Sequence, residues 1–371
     1  MAGYFLLLLW IIAAWFLSRA VVFNGQKLLI QSYESCERRF AILASIGIIL
    51  FTGLRHYTVG PDSDSYASYI DNLHNGIWLN GYDRFEKGFY YLSRLISKVT
   101  GSYTVYFLII ALIVMLGYFV YFYTASRSFF WTIFLYITIG PFVFQLTGLR
   151  QAIAMALCAA SLKFVKDKKF IPFLLLVLLA SQFHISALIF LPFYFVARIN
   201  PSIKSVILFA IGTVVVLYAN EAILNLANKI LGSDKGYEEV SGGWVNFVTY
   251  GGIILASLTS FANMYSTNGA YTYKLLDNTR KYNVISFNLT LLAFLTYFLR
   301  YWFRMAERGS KFFMIGAIVL LANYLSSIED KRTRIVVKMA VVVLAIGLFV
   351  YRQTREGSQY GYHFFWQLSA W

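Results

Sequence analysis

Five ionisable residues lie where long apolar stretches of the sequence end, all toward the same predicted side of a membrane. They are four arginines and one histidine, with a glutamine directly after one arginine: Arg55, Arg150, Gln151, His184, Arg300 and Arg304. A charge at bilayer depth is costly unless it is paired or hydrated. The arginine fork stays charged and binds two phosphate oxygens at once. These residues therefore predict a site for a phosphorylated or diphosphorylated lipid head group at the membrane surface.

A simpler explanation applies to each arginine taken singly. A long cationic side chain at a helix end can extend toward water along the apolar surface. Arg300 and Arg304 are four residues apart, so they share one face if the helix continues through both. The aromatic residues between them are also typical of a membrane–water interface. Two arginines on one stripe are less typical of such an interface.

Carboxylates occur in the predicted outer loop. Asp62 and Asp64 precede a short helical segment that contains Tyr66, and either aspartate could cap that helix. Their spacing also occurs in metal sites of transferases that use sugar nucleotides, but this loop faces away from the cytoplasm, so we predict no metal site. Glu86 could be a general base, a ligand of a sugar hydroxyl, or the partner of a neighbouring cation.

His184 interrupts an apolar stretch over residues 170–199. The stretch is too long for one ordinary span and too short for two. It therefore predicts a hairpin of two short helices with its apex at residues 181–184. Non-helical backbone at membrane depth occurs where protein or a water-filled cavity covers it. His184 could be a structural hydrogen-bonding group, an acid or base, or a phosphate ligand.

The elements that must position these residues are membrane helices. The chain of 371 residues is 59% hydrophobic and 13% charged, whereas soluble domains carry about 25% charged residues. A span needs about 20 apolar residues. The sequence predicts a single all-α polytopic membrane domain over residues 1–371, with about 12 membrane helices including the broken hairpin and an extracytoplasmic loop at about 56–102. The predicted spans lie near 3–22, 40–55, 103–123, 129–148, 150–165, 203–220, 247–264, 284–300, 311–326 and 335–351.

Charge in the short loops predicts the orientation. The loops at 166–169 and 331–334 are rich in lysine and arginine, which is typical of the cytoplasmic side. Both chain termini and the arginine set would then face outward. The net charge of +15 is explained by such loops, and no basic soluble segment predicts nucleic-acid binding. The sequence has no phosphate-binding glycine loop of the nucleotide-binding kinds, so we expect no cofactor and no drive by ATP.

Several short motifs, in this order, resemble the EpsG/Wzy family of bacterial polysaccharide polymerases. The resemblance covers about residues 50–310. The motifs are Gly53 to Arg55, Val59-Gly60 with Asp62 and Tyr66, Glu86 with Gly88-Phe89, Gly148 to Ala154, Phe183-His184 with Ser186, and Arg300 to Arg304. Near the C-terminus, Tyr360 to Tyr362 matches only loosely the tyrosine-rich end of relatives.

The resemblance implies an inverting membrane glycosyltransferase with a fold similar to the GT-C class. Donor and acceptor would be oligosaccharides on undecaprenyl diphosphate, at the outer face of the bacterial cytoplasmic membrane. Lipid diphosphate would be the leaving group. A flippase and a chain-length regulator of the same pathway would be partners, besides membrane lipid.

The implied roles divide the candidate residues into two groups. Arg150, Arg300 and Arg304 would stabilise the diphosphate. Arg55 would be a further phosphate or structural ligand, and Gln151 and Tyr66 would contact substrate. One of three residues would be the base or a sugar ligand: Asp62, Glu86 or His184.

Three other functions compete with polymerisation. A ligase-like transferase would bind lipid diphosphate on the same side, so the sequence does not separate it from a polymerase. A flippase or transporter predicts charges through the bilayer depth and on both faces. The predicted spans carry almost none, with Lys338 the exception. A non-catalytic scaffold would not need the arginine set.

Overall fold

The structure, a computed structural model, describes residues 2–19, 22–24, 27–29, 33–77, 85–218, 244–266, 273–301, 304–355 and 361–367. Helices make up nearly all of the regular structure in these ranges. The exception is an antiparallel hairpin of strands β1 (Val22–Asn24) and β2 (Lys27–Leu29), which the all-helical prediction did not contain. The fold is therefore helical with one small hairpin.

The helices of the first half of the chain are α1 (Ala2–Ser18), α2 (Tyr33–Gly53), α3 (Ser63–His74), α4 (Lys87–Ser97), α5 (Tyr103–Ala125), α6 (Phe129–Thr138), α7 (Phe142–Gln145), α8 (Leu149–Lys166) and α9 (Phe170–Ser181). A 3₁₀ helix then covers Ile185–Phe190. The remaining helices are α10 (Phe193–Val196), α11 (Ile203–Tyr218), α12 (Trp244–Ser266), α13 (Tyr273–Phe298), α14 (Arg304–Phe313), α15 (Ile315–Ser327) and α16 (Lys331–Arg355).

Three helical stretches in the described residues are long and apolar enough to cross a membrane: Tyr103–Ala125, Ala306–Ser327 and Lys331–Thr354. Helix α5 has 23 residues and no charged side chain. At 1.5 Å per residue it spans about 34 Å, which matches the roughly 30 Å hydrocarbon layer. Five shorter apolar helices accompany them. The chain is thus a helical, polytopic membrane protein; the number of spans and the likeness to the GT-C class stay predictions.

Large apolar side chains on the outside of the bundle support this environment. Leu9 is 60% exposed, Leu116 56% and Val343 69%. Exposed side chains of this size are scattered over α1, α5, α9 and α16 rather than confined to one patch. Apolar surface of this extent is unfavourable in water and is stable against lipid chains.

Two predicted spans are broken in the structure. The span at 129–148 divides into α6 and α7, with Gly140 and Pro141 between them. Pro141 lacks the backbone N–H that a continuous helix needs. The break predicted within 170–199 is present at residues 182–184, but the second arm is a 3₁₀ helix followed by the short α10 rather than one α-helix.

The helix that carries Arg300 does not continue to Arg304. Helix α13 ends at Phe298, a 3₁₀ turn covers Leu299–Tyr301, and α14 begins at Arg304. The condition under which the two arginines would share one helical face is therefore not met. The change in helix direction instead places Arg300 beside the first turn of α14.

The interior of the bundle brings the candidate residues to one end. Helix α5 packs against both α2 and α8. The contact with α8 is close, because a Cβ on Gly117 would lie 2.7 Å from the carbonyl oxygen of Ala156. Helix α2 ends, and α8 begins, at the end of the bundle where Tyr4 and Tyr362 pack together with ring centroids 5.4 Å apart. Tyr4 and Tyr362 therefore lie at the same end of the bundle as these candidate residues.

Candidate functional site

Arg150 lies in the first turn of α8 and is held on three sides. Its Nη1 pairs with Oε2 of Glu86 at 2.6 Å, and its guanidinium carbon lies 4.6 Å from the centre of the Phe85 ring. Its Nε donates to the hydroxyl of Tyr66 at 3.5 Å. Three of the predicted site residues, from three different elements, thus form one group, which we call the Glu86–Arg150 cluster (Tyr66, Glu86 and Arg150).

The position of Glu86 depends on the break at residues 182–184. Its second oxygen, Oε1, accepts the backbone N–H of Ile185 at 3.3 Å. A Cβ on Gly88 would lie 2.7 Å from the carbonyl oxygen of Gln182, so only glycine lets α4 approach the break this closely. Both oxygens of Glu86 are therefore engaged, one by a cation and one by a backbone amide.

His184 has a local structural role in this arrangement. It precedes the 3₁₀ helix, and its Nδ1 accepts the backbone N–H of Ser186 at 3.3 Å. This bond satisfies one of the free N–H groups at the start of that helix. The backbone of the next residue, Ile185, contacts Glu86, so His184 lies beside the cluster in the chain.

Tyr66 is buried in α3 of the outer segment. Burial raises the pKa of its phenol above the ordinary value, and Arg150 offsets part of that rise. The ring of Tyr66 also packs against Phe85, with ring centroids 6.2 Å apart. The hydroxyl therefore stays protonated at neutral pH and can donate a hydrogen bond to a ligand.

Arg55 has no exposed surface. Its Nη1 donates to the carbonyl of Thr52, and its Nη2 donates to the carbonyl of Leu146 at 2.9 Å. The guanidinium lies 4.0 Å from the centre of the Phe107 ring. Ser63 Oγ also bonds to the Leu146 carbonyl, at 2.8 Å. Arg55 thus joins α2 and the loop before α8 through backbone acceptors, and Ser63 of α3 bonds to the same Leu146 carbonyl.

The C-terminal segment closes over Arg55. The backbones of Arg55 and Phe364 form an isolated bridge, and His56 N–H donates to the carbonyl of His363 at 2.8 Å. Tyr362 stacks on Phe51 with centroids 3.9 Å apart. We call Arg55 and residues 361–367 the arginine enclosure.

Asp62 occupies the N-cap position of α3 but makes no side-chain capping bond. Its Oδ2 accepts from the hydroxyl of Thr147 at 3.5 Å, and the side chain is exposed. The preceding Gly60 has φ +103°, and a Cβ there would lie 2.8 Å from the Leu146 carbonyl oxygen. The turn that aims Asp62 at Thr147 therefore needs glycine.

A cavity of about 230 Å³ lies next to Asp62, lined by Gly60, Pro61 and Thr147 on that side. The opposite wall carries Lys311 from α14 and Arg352 from α16. Gln353 also lines it, is 5% exposed, and its amide nitrogen has no hydrogen-bond partner among the described residues. We call this cavity, with Lys311, Arg352 and Gln353, the cationic pocket.

A chain of polar contacts runs along the wall of the cationic pocket. Arg352 donates to Asn246 Oδ1, and Asn246 Nδ2 donates to the hydroxyl of Tyr297 at 3.1 Å. Arg300 Nη1 donates to the same hydroxyl and lies 3.6 Å from Glu307. Glu307 in turn pairs with Lys311 at 3.9 Å. Arg300 therefore reaches the pocket through Tyr297 and Glu307.

Two predicted residues stand apart from these groups. Gln151 is buried, and its amide nitrogen donates to the backbone carbonyl of Arg308 at 2.8 Å, so it fastens α8 to α14. The backbone of Arg304 begins α14, but its side chain lies outside the described residues. The prediction for Arg304 therefore stays a prediction.

Sequence reasoning missed Lys311, Arg352, Gln353 and Glu307. A signal was present for Arg352, which directly follows the predicted span at 335–351, the placement that singled out Arg150. Glu307 and Lys311 are four apart on α14, the spacing of a helical ion pair. No sequence signal shows that these parts of α14 and α16 meet. Within the described ranges, no group of three His, Cys, Asp or Glu side chains could hold a metal ion.

Comparison with known proteins gives one match. The family model described as the EpsG family matches residues 38–367. The matched region begins in α2 and ends in the C-terminal segment, so it contains the Glu86–Arg150 cluster, the arginine enclosure and the cationic pocket. No curated protein and no solved structure matches the chain.

Proposed function

This chain belongs to the EpsG family, and from that premise we propose that it is a membrane polymerase that joins oligosaccharide repeat units carried on undecaprenyl diphosphate. The family suggests a polymerase of polysaccharides. The step proposed here is an inverting glycosyl transfer at the outer face of the bacterial inner membrane. One observation carries the proposal: an exposed carboxylate, Asp62, follows Pro61 in the chain and accepts from Thr147, and both of these residues line a pocket that also holds two cations, Lys311 and Arg352.

The cations would serve the leaving group. When the bond between the anomeric carbon and the diphosphate oxygen breaks, the electron pair and the negative charge go to the diphosphate. Donors that are already in place stabilise such developing charge without reorganising. Lys311 and Arg352 line the cavity, and the buried amide of Gln353 offers a further donor. Arg300 would support them through Tyr297 and Glu307.

The carboxylate would serve the acceptor. The acceptor sugar hydroxyl attacks the anomeric carbon from the face opposite the leaving group, which inverts that centre, and its proton passes to a base. Asp62 suits this role best, because its side chain is exposed and accepts one long hydrogen bond, 3.5 Å from Thr147, a residue that lines the pocket. Glu86 is bound to Arg150 and to the Ile185 amide.

The Glu86–Arg150 cluster would form the wall that positions the acceptor. Its aromatic neighbours Phe85 and Phe89 pack around Tyr66. Tyr66 keeps a protonated hydroxyl that can bond to a sugar. Arg55 and Gln151 would be structural, since both donate to backbone carbonyls. His184 would hold the break that positions Glu86.

The arrangement favours an enzyme over a flippase. Charged side chains of the site lie toward one end of the bundle, and α5, which packs against α2 and α8, has none. Lys338 lies within α16, near the Trp131 ring at 5.3 Å. An alternating-access carrier needs polar groups reachable from both sides. A ligase would use the same pocket. The two activities therefore differ in the acceptor that receives the glycan.

The test uses the purified full-length protein in detergent or vesicles. It is incubated with one lipid-linked repeat unit alone, without nucleotide sugar. A ladder of products supports polymerisation, and transfer only to a different acceptor would indicate a ligase. Asp62→Asn should abolish the ladder, whereas Asp64→Asn, a matched change in the first turn of α3, should keep it. A ladder that needs added nucleotide sugar would overturn the proposal.

A further inference from the structure

An apolar groove runs along the outside of the bundle between four helices. It has a volume of about 630 Å³ and is lined by α6, α12, α15 and α16. Apart from Thr249 and Tyr324, its lining residues are aliphatic or glycine. Small-molecule sites in proteins have similar volumes, about 300–1,000 Å³. The groove is thus large enough for a substantial apolar ligand.

The groove and the cationic pocket are continuous along α16. Val341, Leu344 and Leu348 line the groove with the spacing of one helical face. Phe349 and Arg352, on the next turn, line the pocket. A ligand that follows this face of α16 therefore passes directly from aliphatic side chains to a guanidinium group.

The same transition occurs on two other helices. At the end of α6, Ile139 lines the groove and Gly140 lines the pocket. In the first turn of α12, Val245 lines the groove and Asn246 lines the pocket. Arg352 fastens this junction, because it donates to the Ile139 carbonyl at 2.9 Å and to Asn246. The groove and the pocket therefore adjoin on three helices.

The groove lies where a membrane lipid could enter it. Only 11% of the apolar window of α16 is buried inside the protein, so this helix stands at the lipid-facing edge of the bundle. Along α16 the lining runs from Val337 to Leu348. At 1.5 Å per residue this is about 16 Å, roughly half the thickness of the hydrocarbon layer.

From this continuity we infer that the groove holds the isoprenoid chain of the lipid diphosphate whose head occupies the cationic pocket. The inference rests on the proposed function, which it extends from the head group to the chain. Charge complementarity identifies the occupant as an amphiphile. An anionic head fits a lining in which two cations, Lys311 and Arg352, outnumber the one carboxylate, Glu307, and a long apolar chain fits the aliphatic wall. The enzyme would then select its donor partly by the length of its lipid.

Two glycines provide a matched pair of variants. Gly252 lines the groove, and a Cβ there would meet no atom within 4 Å among the described residues. Gly347, in α16, is equally open but does not line the groove. Gly252→Phe should fill the groove without a clash, and Gly347→Phe should add the same ring outside it. Both changes also replace a helical glycine, so their effects on helix propensity are alike.

The experiment compares two donors that carry the same oligosaccharide. One is on undecaprenyl diphosphate and the other is on geranyl diphosphate. Gly252→Phe should raise the KM for the undecaprenyl donor about tenfold or more, since methylene contacts in the groove are lost. It should raise the KM for the geranyl donor less, because the short chain makes fewer contacts in the groove. Gly347→Phe should alter neither. Equal kinetics of Gly252→Phe and the parent enzyme with both donors would overturn the groove assignment while leaving the polymerase intact.

A binding measurement separates the two proposals if no polymer forms. Undecaprenyl phosphate with a photoreactive diazirine in its isoprenoid chain is irradiated with the full-length protein in vesicles. Labelling of α12 and α16 peptides, lost in Gly252→Phe and kept in Gly347→Phe, would support the groove even without polymerisation. Labelling that is the same in all three proteins would overturn it. The proposal would also be overturned if phosphatidic acid displaced the probe as well as the same excess of unlabelled undecaprenyl phosphate. The groove would then be a general lipid contact.

Discussion

Arg55 and Arg352 lie at the same end of the helical bundle, but their surroundings differ in kind. Arg55 is fully buried, and the C-terminal segment covers it. Arg352 also bonds to a backbone carbonyl, that of Ile139, yet it lines an open cavity together with Lys311. The same residue type thus fastens the fold in the arginine enclosure and faces a ligand in the cationic pocket. Position at the end of an apolar span does not distinguish the two uses; access to a cavity does.

The largest expected effect is loss of polymerisation in the cationic pocket. Replacing one preorganised donor to a developing oxyanion costs about 100- to 1,000-fold in rate. Lys311→Ala and Arg352→Ala should each lower kcat by about this much. Lys311→Ala should keep a thermal midpoint close to that of the parent, whereas Arg352→Ala should also lower the midpoint, because the Ile139 carbonyl and Asn246 lose their donor. Product ladders and thermal unfolding in detergent measure the two quantities.

Arg334→Ala is the control for the pocket variants, because Arg334 lies near the opposite end of α16. It should leave both the ladder and the midpoint unchanged. A full ladder from Lys311→Ala and from Arg352→Ala would show that the pocket does not bind the diphosphate. The contrast between the two arginine environments would then lose its functional meaning.

The arginine enclosure should respond in the opposite way. Arg55→Met leaves the Thr52 carbonyl without its donor from Arg55 and removes one of two donors to Leu146, which should lower the free energy of unfolding by about 3 kcal/mol. We expect less protein in the membrane and a lower thermal midpoint, with near-normal kcat for the folded fraction. Arg55→Lys should not restore stability, since lysine lacks the fork that reaches both carbonyls.

Arg94→Met, on the exposed face of α4, is the matched control and should change neither quantity. If Arg55→Met keeps its thermal midpoint but makes no polymer, the proposed difference between a structural Arg55 and a ligand-binding Arg352 is contradicted. It would mean that Arg55 acts on the substrate, as the family resemblance allows.

The Glu86–Arg150 cluster should give an intermediate effect. Its ion pair is partly exposed, with 25% and 19% of the side chains accessible, so solvent weakens it. Glu86→Gln and Arg150→Met should each reduce kcat/KM about tenfold. The double variant should lose less than the product of the two, with a coupling energy of about 1 kcal/mol. Arg150→Lys should keep part of the activity.

Glu86→Gln also tests the choice of base. If this single change abolishes the ladder while Asp62→Asn leaves it intact, then Glu86 is the proton acceptor and Asp62 is not. Asp64→Asn serves again as the unaffected reference, because Asp64 lies in the first turn of α3 like its tested neighbour.

The sequence predicted those parts of the site that local signals determine. The apolar runs indicated membrane helices, and the polar residues in the apolar stretch indicated the break at 182–184. The Glu86–Arg150 cluster was predicted as a set of residues, although spacing alone gave no distances. The C-terminal match seemed loose, yet Tyr362 stacks on Phe51 beside Arg55.

The rest depends on how distant helices pack, which no local pattern reports. Lys311 and Arg352 come together because α14 and α16 both end at one cavity. Arg55 and Arg150 have similar sequence settings, but only the former is covered by the C-terminal segment. The sequence also did not show that the helix carrying Arg300 stops before Arg304. That helix ends at Phe298, where the sequence contains neither proline nor glycine to signal the end.

The smallest expected effect concerns pH and the cover of the arginine enclosure. Burial lowers the pKa of His56 below its ordinary value, and the nearby His363 lowers it further. The geometry agrees, because the backbone N–H of Thr58 points at Nδ1 of His56 at 3.3 Å and favours the neutral ring. As the pH falls below the pKa of the unfolded chain, about 6.5, the unfolded form takes up the proton first. The contribution to stability is therefore present at neutral pH and is lost on acidification. The thermal midpoint should fall slightly between pH 7.5 and 5.5, and His56→Asn should remove that part of the fall. If the thermal midpoint of His56→Asn depends on pH as that of the parent does, protonation of His56 does not affect the stability of the arginine enclosure.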